Sequence, residues 1–195
     1  MTMSVIRAFI AIDLSPEIRR MLEQVTRQLK ERLAGVPIRW VPAENIHLTL
    51  MFLGDVSVKN LEILTKVLQN EVSSHHSFEF SVGGLGAYPN TRHARVLWVG
   101  VEAPAELLNV QRGVETVVSR LGYAREDRPF SAHLTLGRVS RNAVSKDIHL
   151  ISEVLESTKV GFMGVAQVTE IHLLKSDLKP TGAVYSRVYS APLSE

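Results

Sequence analysis

The segment His-Leu-Thr-Leu occurs twice, at His47–Leu50 and His133–Leu136. Each copy sits inside the same order of elements: strand, helix, His-Leu-Thr-Leu strand, helix, strand. A duplicated layout of this kind predicts an α+β chain of two similar lobes facing each other across a central cleft, with one motif in each. The 195 residues then form a single bilobal domain, the first repeat running roughly over 5–83 and the second over 94–190.

Periodicity and turn chemistry set the elements. The apolar run Val5–Leu14 reads as a buried strand. Ser15-Pro16-Glu17 then offers a capping hydroxyl, a proline at the first helical position and an acid in the first turn, and Ile18, Met21, Leu22, Val25 and Leu29 recur at helical spacing up to Leu33. Arg39–Val41 is short and extended, and His47–Leu53 is a strand closed by Gly54-Asp55. A second helix capped by Ser57 carries Leu61, Leu64, Val67, Leu68 and Val72 on one face, before a strand at Phe78–Val82. Gly83–Gly86 with Pro89-Asn90 is expected to be a flexible connection. The second half supplies a strand at Ala94–Val101, a helix from Pro104 to Leu121, the strand through His133–Leu136 and a helix over Ala143–Glu156. Strands at Val160–Ala166, Val168–Leu174 and Val184–Tyr189 follow, separated by Gly164 and by Lys179–Gly182.

Composition removes several classes of function. With 22 basic and 20 acidic residues the net charge is only +2, so no cationic stripe coats this chain and an anionic ligand must be bound locally. Cysteine is absent, which excludes disulfides, thiolate nucleophiles and cysteine-ligated metal. The N-terminus lacks a signal-peptide pattern and no apolar run reaches transmembrane length, so the expectation is a cytoplasmic protein without membrane association. A monomer is expected, because no apolar stripe is left over beyond the amphipathic helices.

In a strand, residues two apart point the same way, so His47 shares a face with Thr49, and His133 with Thr135, while the leucines anchor each strand in its core. Two histidines flanking one phosphorus divide acid–base work: a neutral imidazole takes a proton from water and an imidazolium protonates the departing oxygen. The threonine hydroxyls can hydrogen-bond the phosphoryl oxygens as charge grows. Two histidines are too few for a zinc site, and neither motif has a further ligand placed to complete one, so no metal is expected. His149 and His172 lack the hydroxyl two residues on, and His75, His76 and His93 lie in polar stretches; solvated surface histidines are the default for all five.

These segments resemble the 2H phosphoesterases, and within them the RNA 2′,3′-cyclic phosphodiesterases once named 2′-5′ RNA ligases. The resemblance spans Arg7–Leu14, Arg39–Leu50 with Phe52–Gly54, Arg95–Val101, Arg128–Leu136 and Leu174–Leu178. It implies antiparallel sheets with helices on their outer faces, related by a pseudo-twofold repeat. It also implies hydrolysis of a 2′,3′-cyclic phosphate to a 2′-phosphate without cofactor, with RNA ends or small cyclic nucleotides as substrate. By the same resemblance His47 is the proton donor and His133 the proton acceptor, although the repeat itself leaves that polarity open. Thr49, Thr135 and Arg138 would hold the phosphate. Strict alternation from His133 turns Arg138 away from the cleft, so it arrives only through a bulge or a strand end at Gly137. Phe52 and Phe130 either stack on a base or belong to the core. Arg39 and Trp40 precede the first motif with no direction assigned. The competing functions are the reverse reaction, 2′-5′ joining of RNA, and a non-catalytic nucleotide- or RNA-binding module.

Overall fold

The computed structural model of the chain describes residues 4–180 and 182–195; the start of the N-terminal reading and Thr181 of the Lys179–Gly182 turn lie outside the described residues. Among the described residues nine strands and four α-helices form two antiparallel sheets. The strands are β1 (Val5–Ile12), β2 (Ile38–Trp40), β3 (Leu48–Ser57), β4 (Phe78–Tyr88), β5 (Val96–Glu102), β6 (His133–Val139), β7 (Phe162–Val168), β8 (Glu170–Lys179) and β9 (Gly182–Pro192). One sheet has the order β3-β1-β8-β9 and the other β2-β6-β5-β4-β7. Each sheet therefore takes strands from both halves of the chain, and each holds one copy of the motif, on β3 and on β6.

The helices are α1 (Pro16–Arg32), α2 (Leu61–Val72), α3 (Ala105–Ser119) and α4 (Ser145–Ser157). Ser15 caps α1 by accepting from the Ile18 amide at 3.3 Å, and Ile18, Leu22 and Leu29 form its buried stripe. Full burial of a leucine such as Leu22 contributes about 1.5–3 kcal/mol. Although α1 follows β1, it packs on β7 of the other sheet, where Gly164 faces Ile18 and Met21. Arg32 then joins its C-terminal end to Ser157 and Thr158 at the end of α4. Helices α2 and α3 pack on each other and against the β3-β1-β8-β9 sheet. No described helix is long and apolar enough to cross a membrane.

Three expectations need correction. The glycine-rich Gly83–Gly86 segment is not a connection: β4 runs unbroken to Tyr88, because these glycines are demanded by neighbours rather than by a turn. Gly86 lies under the Trp98 indole, Gly83 lies against the Gly161 carbonyl, and Gly84, at φ 78°, takes up a register shift. Gly164 likewise sits inside β7, its missing side chain making room for α1. Ser57 does not cap α2; it ends β3, a 3-10 turn at Val58–Asn60 intervenes, and α2 starts at Leu61.

Candidate active site

Residues directly opposite one another on neighbouring antiparallel strands carry their side chains on the same face. On β1, Ala8, Ile10 and Ile12 point into the helix-covered core, so Arg7, Phe9 and Ala11 define the other, concave face. Opposite them on β3 stand Asp55, Phe52 and Thr49. Thr49 and Phe52 are three apart, and they share a face because the pairing slips by one residue at Leu50. The same slip occurs on β6. Gly100 faces His133, Trp98 faces Thr135, and after an extra residue at Leu136 Val96 faces Arg138. Since Val96, Trp98 and Gly100 alternate regularly along β5, His133, Thr135 and Arg138 share the concave face. The bulge thus places Arg138 where strict alternation does not. Phe52 and Arg138 occupy equivalent positions in the two repeats.

Both bulge carbonyls are satisfied: the buried Gln111 of α3 donates to Leu50 at 3.5 Å, and the Val41 amide donates to Leu136 at 2.8 Å. Strands β3 and β6 meet at the seam between the sheets.

The two imidazoles are held alike. His47 Nδ1 lies 2.8 Å from the Asn45 carbonyl and His133 Nδ1 lies 2.8 Å from the Ser131 carbonyl. A carbonyl oxygen only accepts, so each Nδ1 carries the hydrogen and each Nε2 is left for chemistry. The environments are built from similar parts. Phe9 stacks on His47 with ring centroids 4.7 Å apart, and Tyr185 meets it edge-on at 5.2 Å. Tyr88 meets His133 edge-on at 5.0 Å, lies against Trp98, and its hydroxyl is 2.7 Å from Ser131 Oγ. Among the described residues neither Thr49 nor Thr135 hydroxyl has a hydrogen-bond partner in the protein.

Charges break this symmetry. Burial holds the His47 imidazole below its ordinary value, opposed by the hydrogen bond to Asn45 and by the Asp13 carboxylate, while the Arg19 guanidinium lowers it further. Burial also lowers His133, opposed by its bond to Ser131, and there the Arg138 guanidinium disfavours the protonated form further. Asp13 lies between Arg19 and Arg187, the latter at 3.2 Å, and with Asn45, Leu174 and Tyr185 these residues wall a cavity of about 200 Å³ beside His47. A larger cavity of about 430 Å³, lined by Arg92, His93, Arg95 and His149 among others, touches none of the motif residues. Among the described residues no three histidine, aspartate or glutamate side chains gather as metal ligands.

Of the other sequence candidates, Phe52 is 54% exposed on the concave face, whereas Phe130 is half-buried in the segment before β6 and packs against the core. Trp40 faces the core, where it crowds Gly137, and Arg39 faces the other way, opposite Arg138. Two of the five remaining histidines are not solvated. His172 is only 5% exposed, its Nδ1 2.9 Å from Ser190 Oγ, and His75 pairs with Glu71 at 2.9 Å. The reading of residues alone missed Phe9, Asp13, Tyr88 and Tyr185. Tyr88 and Tyr185 carry no local signal, because only strand pairing and sheet curl bring them to the histidines.

Two antiparallel sheets that each carry one His-x-Thr strand fit a phosphoesterase, and the comparisons with known proteins place the chain in that class. A family model described as LigT like Phosphoesterase matches residues 12–98. A protein of Methanothermobacter thermautotrophicus named RNA 2′,3′-cyclic phosphodiesterase is 36% identical over 183 residues, 93% of this chain and 95% of that one. An Archaeoglobus fulgidus protein of the same name is 36% identical over 180 residues, covering 92% and 96%. The crystal structure of Escherichia coli LigT complexed with 3′-AMP superposes with a TM-score of 0.78 at 27% identity, covering 98% of this chain and all of that one. The chain belongs to the LigT-like phosphoesterase family, whose curated relatives carry the name RNA 2′,3′-cyclic phosphodiesterase.

Proposed function

We propose that this chain hydrolyses the 2′,3′-cyclic phosphate at RNA ends to a 2′-phosphate, with His47 as proton donor and His133 as proton acceptor and without metal. The observation that carries the reading is the matched pair of imidazoles, each anchored through Nδ1 to the carbonyl two residues before it, each with a free threonine hydroxyl on the same face. Because Nδ1 always keeps its hydrogen, the proton that moves is always on Nε2. His133 Nε2 takes a proton from water as the water oxygen bonds to phosphorus. The bond from phosphorus to O3′ breaks, and His47 Nε2 delivers its proton to O3′. The difference in charge neighbours supports this polarity: both imidazoles are lowered by burial, but His47 has the Asp13 carboxylate, opposed by Arg19, to favour its protonated form, whereas the charge beside His133 is Arg138, which favours the neutral form. Thr49 and Thr135 donate to the non-bridging oxygens, Arg138 adds its positive charge, and Phe52 offers a face for the base.

The test is turnover of a short RNA ending in a 2′,3′-cyclic phosphate, in chelator, with the product's phosphate position determined. His47→Ala and His133→Ala should each lower kcat by about 10²–10⁴-fold. Turnover indifferent to either histidine, or dependent on added metal, defeats the proposal.

A further inference from the structure

Strand β2 pairs with β6 so that Arg39 stands directly opposite Arg138, while on the other side of β6 Arg138 faces Val96. The row across the concave face therefore holds two guanidiniums side by side and then a valine. Both arginines are exposed, and among the described residues neither is paired with a carboxylate. Like charges placed directly opposite on neighbouring strands destabilise a sheet unless an opposite charge offsets them. No acid in this row does so, and an anion supplied from outside would relieve the pair.

We propose that Arg39 binds the phosphodiester that precedes the cyclic end, which makes an oligonucleotide rather than a cyclic mononucleotide the preferred substrate. The inference rests on the function proposed above. The cyclic phosphate already has two imidazoles, two threonine hydroxyls and Arg138 directed to it, and its two non-bridging oxygens have few acceptor sites left. Arg39 lies one strand further out, about 4.8 Å from Arg138 in backbone spacing. A guanidinium there has five donors in a planar fork suited to the two free oxygens of a neighbouring phosphodiester. The strand that carries it is only three residues long and is the edge strand of its sheet, so no further strand covers its outer side. Trp40 packing over Gly137 on the opposite face fixes the register and hence the direction of Arg39.

The experiment compares wild type, Arg39→Ala and Arg39→Lys on two substrates, adenosine 2′,3′-cyclic phosphate and a five-nucleotide RNA ending in a 2′,3′-cyclic phosphate. It also measures, by fluorescence anisotropy at several salt concentrations, binding of the five-nucleotide product ending in a 2′-phosphate. Arg39→Ala should raise KM for the oligonucleotide about tenfold more than for the mononucleotide, with kcat affected far less. It should also lower the slope of log affinity against log salt by about 0.7, one single-strand phosphate contact. Arg39→Lys should recover most of the salt slope and part of the KM. An equal loss on both substrates, or an unchanged salt slope, overturns the assignment. A wild type that binds the product RNA with the Arg39-dependent salt slope but turns over neither substrate would leave the phosphodiester contact standing and refute the hydrolytic function instead.

Discussion

Replacing Gly86 by alanine tests how tightly the wall behind His133 is packed. A Cβ built there stands 2.4 Å from both Cη2 and Cζ2 of Trp98 and 3.0 Å from Cε2. Carbon atoms rest at roughly 3.5–4.0 Å, so the indole must retreat by about 1 Å or the two strands must separate. A rigid double ring cannot relieve this by turning one terminal bond, and Trp98 is held between Gly86 and Tyr88, its ring centroid 5.3 Å from that of Tyr88. The cost expected for such overpacking is about 1–3 kcal/mol. Because Gly86 does not need a positive φ, the loss comes from the clash and not from the backbone. Urea denaturation followed by circular dichroism should show the lower midpoint at an unchanged slope, and Trp98→Phe in the same background should recover part of it. Gly161→Ala, where an added Cβ meets nothing within 4 Å, is the control and should stay within about 0.5 kcal/mol of wild type. A Gly86→Ala protein as stable as wild type would refute the packing argument.

Thr49→Val and Thr135→Val should each lower kcat by about 10²-fold while changing KM little, and a change confined to KM would show that the hydroxyls only bind. Phe52→Ala should raise KM at a stability cost below about 0.5 kcal/mol, whereas Phe130→Ala should lose stability; equal effects in both assays would contradict the assignment of the two rings. His172 is lowered by burial and by Arg187, so the folded chain binds fewer protons than the unfolded one. Stability is therefore complete above the unfolded value of about 6.5 and falls as pH drops through it, with His47 and His133 adding the same sign. Denaturant titrations at pH 7.5 and 5.5 should show this loss, reduced in His172→Asn; a variant with the full wild-type loss would exclude His172 as a contributor.

Much of this protein was readable without coordinates, because it depends on neighbours in sequence. The proline and serine at the start of α1, the helical spacing of Ile18, Leu22 and Leu29, and the alternation of His47, Leu48, Thr49 and Leu50 are local, and the duplicated motif announced two lobes before any pairing was known. Local order failed where a residue answers to a strand far away. Gly83–Gly86 looks like a hinge until β5 lays Trp98 across it, and Arg138 points the wrong way until Leu136 bulges out of its pairing with β5. The assignment of strands to sheets, the packing of α1 on the sheet it does not follow, and the surroundings of the two histidines were likewise set only by the tertiary structure. Side-chain period is a property of one strand, whereas register, bulges and charge neighbours belong to pairs of strands. Sequence alone therefore singled out the two histidines and threonines as candidates, and tertiary structure decided which face they share and which of the two imidazoles lies beside a carboxylate.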